Sequence, residues 1–291
     1  MKKHIALALM GMAFITGCGS SGTSSPTAVS GVVADGYLEN ALVFFDKNKN
    51  YQLDEGEPFA TTDEHGAYTL TVSAEEIGLY PIVAIAIKDQ TIDQDTGLAV
   101  SDTYVLCLPE ASVSGIVSNF ISPMSTLLRE KLVANPDMTL SEAVIQLRNQ
   151  LNMPLGMNIL GDYVEGSLDG EYQQQYQAMH RVAQQMAGLM ADQAPLVMNE
   201  QRVYAERFRN MMGEMNQNLS LIATNAASGD PMNSTVMNQI RAQMQERVEG
   251  VPVTGGFANY SGMFRNQTSH SYFWNYSGGR MRPSGQMGMM W

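Results

Sequence analysis

Residues 41–57 read ALVFFDKNKNYQLDEGE, and the run Ala41 to Phe45 passes directly into a loop of alternating oxygen-bearing side chains. A short run of apolar and aromatic residues bounded by Asp and Asn is a strand signal. Asp46, Asn48, Asn50, Asp54 and Glu57 then stand at positions 1, 3, 5, 9 and 12 of a twelve-residue loop. Calcium is a hard cation that takes about six to eight oxygens, and alternate residues of a tight loop supply them at this spacing. Gln52, at position 7, would offer its backbone carbonyl, Glu57 would be the bidentate carboxylate, and Leu53 fills the apolar position between. Tyr51 departs from the pattern, because position 6 calls for glycine. A tyrosine with positive φ is strained, so a distorted loop is expected. The same residues suit a polar hairpin turn without metal. The reading taken is Ca2+, with Asp63 in the next turn as an additional oxygen.

The loop sits inside a segment of strand character. Gly31–Ala34, Ala67–Val72 and Ile82–Ile87 are short runs rich in β-branched and aromatic residues, separated by turns such as Asp35-Gly36 and Asp63-Glu64-His65-Gly66. Such spacing predicts an antiparallel sandwich over 29–110. From about residue 111 the apolar period becomes three to four. Ile116, Phe120, Met124 and Leu127 or Leu128 fall on one helical face, and Thr139-Leu140-Ser141-Glu142 has the form of a capping box. Tyr172 to Leu189, Tyr204 to Ile222 and Val236 to Val248 repeat the helical spacing. The expected fold class is therefore a β-sandwich domain (29–110) followed by an α-helical domain (111–249).

Taken together, Ser30-Gly31-Val32-Val33-Ala34-Asp35-Gly36-Tyr37-Leu38, Ala41–Asp46, the Asp/Asn loop with Gly56-Glu57-Pro58, and Thr62-Asp63-Glu64-His65-Gly66-Ala67-Tyr68 resemble one family. They are similar to the calcium-binding B-type repeats and carboxypeptidase-regulatory-like (transthyretin-like) β-sandwiches of bacterial surface proteins. The resemblance covers about residues 29–108. It implies a sandwich fold, a stabilising calcium in loop 46–57, and a spacer or adhesive role in place of catalysis. The stretch Ile121-Ser122-Pro123-Met124-Ser125-Thr126-Leu127-Leu128 is similar to a helical segment that follows such modules in bacterial lipoproteins.

The first eighteen residues speak to location. Lys2 and Lys3, an apolar run from Ile5 to Ile15, and Thr16-Gly17-Cys18 make a secretory signal (1–17). The apolar run is too short to span a bilayer of about 30 Å as a helix. Ile15-Thr16-Gly17-Cys18 resembles the lipobox of bacterial lipoproteins, which implies lipidation at Cys18. Gly19 in place of aspartate points to the outer membrane of a Gram-negative cell, periplasmic or surface-facing. A Gly/Ser/Thr-rich tether, 18–28, follows. Only Cys107 then remains, in an apolar run, and reads as a buried inert thiol.

Net charge is −12, and removal of Lys2 and Lys3 takes it to −14. Phosphate binding needs a basic surface, so nucleic acid is not an expected partner. Other envelope or extracellular proteins, or glycans, are. The mature chain has three histidines, His65, His180 and His270, and neither a Gly-x-Ser-x-Gly elbow nor a His-Glu-x-x-His helix. Catalysis is accordingly not expected, and an enzyme in the helical part is the remotest alternative. Asp93-Gln94-Asp95-Thr96-Gly97 reads as a hairpin turn that could hold a second cation. The segment 250–291 carries three arginines, no acidic residue and dense aromatics. It ends in Met287-Gly288-Met289-Met290-Trp291. Thioethers suit Cu(I), so a copper-handling protein using Met287, Met289 and Met290 is the alternative function. The methionines at helical spacing, Met179, Met186, Met190, Met211 and Met215, read as core filling.

Overall fold

The structure is a computed structural model that describes residues 26–199, 202–253, 260–265, 272–275 and 280–283. The signal segment, Cys18, His270 and the methionines Met287, Met289 and Met290 lie outside the described residues. Ten strands come first: β1 (Pro26–Val33), β2 (Leu38–Glu39), β3 (Leu42–Phe45), β4 (Phe59–Thr61), β5 (Ala67–Ser73), β6 (Ile82–Ala86), β7 (Ile92–Asp93), β8 (Leu98–Ala99), β9 (Tyr104–Leu108) and β10 (Asn119–Ile121). Six helices follow: α1 (Pro123–Ala134), α2 (Leu140–Leu151), α3 (Tyr163–Gly166), α4 (Gln173–Val197), α5 (Ala205–Ser228) and α6 (Thr235–Glu249). Two small hairpins accompany them, β11 (Met198–Asn199) with β12 (Arg202–Val203), and β13 (Tyr272–Asn275) with β14 (Arg280–Pro283).

Three sheets carry the strand half among the described residues, ordered β10-β1-β5, β4-β3-β6-β9 and, the smallest in strand length, β2-β7-β8. Period-two alternation makes β5: Tyr68, Leu70 and Val72 are buried while Thr69 and Thr71 face water. β6 and β9 are buried at every residue, the signature of strands covered on both faces. Helix α1 supplies one cover and reaches into the backbone of β9. The Thr126 hydroxyl accepts the Cys107 N–H at 2.8 Å, and the Ser125 hydroxyl donates to the Cys107 carbonyl at 2.7 Å. These two hydroxyls bond a strand that, among the described residues, is the edge of its sheet. Cys107 is fully buried, and burial pushes its thiol well above the ordinary range.

The expectation of strands followed by helices holds at that coarse level, and the chain is a mixed α/β protein, about 20% strand and 44% helix. The partition into an all-β unit and an all-α unit is not how the elements pack. The reason is β10. It lies beyond residue 110, inside the stretch read as helical, and pairs parallel to β1 through Gly31 with Asn119 and Val33 with Ile121. Gly31 is needed there, because a Cβ would collide with the Asn119 carbonyl. One continuous set of buried residues then runs from β1 to α6.

The helical face expected from Ile116 through Leu128 is likewise corrected. Ile116 is 96% exposed and Phe120 belongs to β10. Pro123 is the first residue of α1, with Ser122 as its N-cap, so the helix cannot extend backwards across it. The Asn119 side chain instead ties the preceding turn, donating to the carbonyls of Ser30 at 2.8 Å and Ser114 at 2.7 Å. Elsewhere the helical reading stands. Thr139 caps α2 and Glu142 closes the box. Met179, Met186 and Met190 of α4 pack into the same core as Met211 and Met215 of α5, all fully or almost fully buried.

Candidate metal loop and its anchor

Loop 46–57 connects β3 to β4 and is ordered by its own side chains. Asp46 ends the strand run and is buried. Its Oδ1 accepts the Asn50 N–H at 3.0 Å and its Oδ2 accepts the Tyr51 N–H at 2.9 Å. Glu57 closes the far side, accepting the Lys47 N–H at 2.7 Å and the Asp54 N–H at 3.0 Å. Asn48 and Asn50 each donate their amide Nδ2 to Asp54 Oδ2 at 2.7 Å, and Asn50 Oδ1 accepts the Gln52 N–H at 2.7 Å. Burial raises the Asp46 carboxyl to about 6, against the lowering effect of its backbone donors and of Arg129.

Tyr51 adopts φ 63 and Lys49 φ 61, so the sharp turn is made with non-glycine residues in the left-handed region. Each such residue costs about 1–2 kcal/mol. The tyrosine is accommodated because its side chain is a plug. It is 1% exposed, and its hydroxyl donates to Glu130 Oε1 of α1 at 2.6 Å. Its ring meets Phe208 of α5 edge to face, with centroids 5.2 Å apart, and the Arg129 guanidinium lies 4.2 Å over the ring. Burial of an aromatic side chain contributes about 2–3 kcal/mol and an edge-to-face pair about 0.5–1.5 kcal/mol more. The strain is therefore outweighed. A glycine would relieve it and lose the anchor.

The anchor is a buried charge network. Glu130 is fully buried, pairs with Arg129, and faces Arg209 Nε of α5 at 3.3 Å through its second oxygen. Arg209 reaches on to Glu206 at 2.9 Å. Next to it on α1, Lys131 is buried with no hydrogen-bond partner for its Nζ among the described residues, and burial lowers its ammonium to about 8. None of these was read as functional from the sequence. Arg129-Glu130-Lys131 looks like an ordinary charged helix stretch, and only tertiary packing buries it.

The donor set of the loop suits a hard cation, since every candidate ligand is oxygen. In the arrangement described, two amide nitrogens stand against Asp54, the role a cation would take over. Among the described residues no three His, Cys, Asp or Glu side chains converge on one point, so the loop relies on Asn48, Asn50 and the Gln52 carbonyl beside its carboxylates. Asp63 serves its own turn: its Oδ1 accepts the N–H groups of His65 and Ala67, each at 2.9 Å, and these bonds hold its carboxyl below the ordinary range. No described helix is long and apolar enough to cross a membrane. Comparison of the chain with protein-family models, with curated proteins and with solved structures finds no match.

Proposed function

We propose that this chain is a non-catalytic, lipid-anchored cell-envelope protein whose loop 46–57 binds Ca2+ and thereby clamps its strand half to its helical half. In this reading Cys18 carries the lipid, and the strands and helices share one core with the loop at their junction. The assembled surface serves adhesion or scaffolding toward envelope or extracellular proteins or glycans. The observation that carries the reading is the seating of Tyr51. The loop that holds the oxygen ligands is the same loop that plugs into α1 and α5. A cation that orders Asp46, Asp54 and Glu57 would fix the plug in place, so calcium would act on the packing of strands against helices as well as on the loop.

The test uses the full mature chain with Cys18→Ala for solubility. Calcium at about a hundredfold over its Kd stabilises by about 2.7 kcal/mol, a rise in Tm of roughly 5–10 °C for a chain of this size. Asp54 is exposed, so Asp54→Ala should leave the chelated melt close to wild type and abolish the calcium response. Equal melts with calcium and with chelator would reduce the loop to a metal-free turn.

A further inference from the structure

A second acidic site forms where four distant segments meet: the turn Ala34–Tyr37, the β7–β8 hairpin, Tyr104 of β9 and the outer face of α4. Asp35 is 7% exposed. Its Oδ2 accepts the Tyr104 hydroxyl at 2.9 Å, and its Oδ1 is buried with no hydrogen-bond partner among the described residues. It lines a cavity of about 390 Å³ together with Asp93, Tyr104, Gln184, Leu98 and Ala191. The carboxylates are pressed against glycine backbone, since a Cβ on Gly36 would run into the Asp95 carboxylate and lie 2.8 Å from Asp93 Oδ1.

The surrounding bonds leave Asp35 as the open acceptor. Asp93 accepts the Asp95 N–H at 2.9 Å and the Thr96 hydroxyl at 3.1 Å. Asp95 Oδ2 bonds His180 Nε2 at 2.6 Å and accepts Gln184 Nε2 at 2.7 Å. Among the described residues no lysine or arginine lines the cavity. Burial, reinforced by the charge of Asp93, raises Asp35 to about 8, and burial together with the charge of Asp95 raises Asp93. A buried acceptor without a partner beside a second carboxylate is relieved by a ligand that brings both positive charge and N–H donors.

Two features select the ligand class. The space is much larger than a metal ion needs, and part of its wall is apolar. Among the described residues no three acidic, His or Cys side chains converge, which a divalent cation would favour. We propose that this cavity binds a small aliphatic amine, its ammonium donating to Asp35 Oδ1 and Asp93 and its carbon chain lying along Leu98 and Ala191. This does not depend on calcium at loop 46–57.

The probes are n-butylamine and 1,4-diaminobutane, titrated into the full mature chain in chelator-containing buffer and followed by calorimetry and by amide NMR shifts. Saturable binding below about 10 mM is expected. Asp35→Asn should weaken it at least about tenfold, the scale of one charge-assisted contact. Ala191→Leu, which narrows the cavity without altering charge, should weaken it too and keeps the test open if Asp35→Asn misfolds. Binding should tighten from about pH 6 to about pH 9 as Asp35 ionises while the amine keeps its proton. The groups facing Asp35 are Asp93, Asp95, Tyr104 and Tyr163, with His180 bonded to Asp95. The proposal is overturned if neither amine binds, if both variants bind as wild type does, or if calcium displaces the amine in an Asp54→Ala background.

Discussion

Loop 46–57 and the Asp35 cavity are both acidic, yet they treat charge in opposite ways. In the loop, Asp46 and Glu57 each receive two backbone N–H groups from residues no more than ten positions away. At the cavity, Asp35 is bonded on one side only, by Tyr104, 69 positions along the chain. A carboxylate bonded by its own loop keeps those bonds wherever the loop is formed. A carboxylate gathered by tertiary packing exists as a site only in the folded protein, and it carries the desolvation cost of that packing. The first kind of site is written in spacing. The second is written in topology.

The sharpest way to break the contrast is at the loop's buried long-range bond, from Tyr51 to Glu130. Glu130→Ala removes the partner shared by Tyr51, Arg129 and Arg209 and leaves a buried guanidinium unpaired. A loss of about 3–5 kcal/mol is expected in denaturant unfolding. A loss under about 1 kcal/mol would mean the network is solvated and the plug is held by its ring alone.

Next in size is the pH dependence of the cavity. The folded Asp35 carboxyl sits at about 8, above its ordinary 3.8. Between those values the native state holds a proton that the unfolded chain has released, so this group's contribution to stability falls as pH rises from about 4 to about 8. Asp35→Asn removes that slope. The variant should gain on wild type steadily as pH rises from about 4 to about 8. Parallel stability–pH curves for the two proteins would show that Asp35 is ionised in the native state.

The smallest effect separates hydroxyl from ring at Tyr51. Tyr51→Phe keeps the edge-to-face contact with Phe208 and deletes the 2.6 Å bond to Glu130. About 1–2 kcal/mol of stability should be lost, with the calcium-dependent rise in Tm preserved. If the rise disappears with the hydroxyl, cation binding and anchoring are one event.

Much of the strand and helix content was legible. The alternation in Ala67–Ser73, the continuous apolar run at Ile82–Ala86 and the Thr139–Glu142 box each specify their element locally. The turn that brings Asp46 and Glu57 onto the same loop was legible for the same reason. The misreading at residues 116–121 has a physical source. Apolar residues every four positions fit a helix, but Pro123 permits a helix only downstream of itself, and Asn119–Ile121 had an open strand edge to join. Tyr51 was read as a defect because position 6 favours glycine; its compensating partners, Glu130 and Phe208, lie 79 and 157 residues away. The Asp35 cavity had no local mark beyond the Asp93–Asp95 turn.

The parallel pairing of β1 with β10 also sets an order of events in time. β5 closes one edge of β1 through Pro26 with Ser73 to Val32 with Ala67, as soon as the first third of the chain is available. The other edge waits for Asn119–Ile121. A chain delivered from its N-terminus thus passes through an interval in which β1 shows an unsatisfied row of amides and carbonyls, the template on which chains associate wrongly. Closing that interval requires a long loop to fold back, a slow step by its topology. Refolding yield should consequently depend on protein concentration, and a holdase that shelters exposed strand edges should raise it.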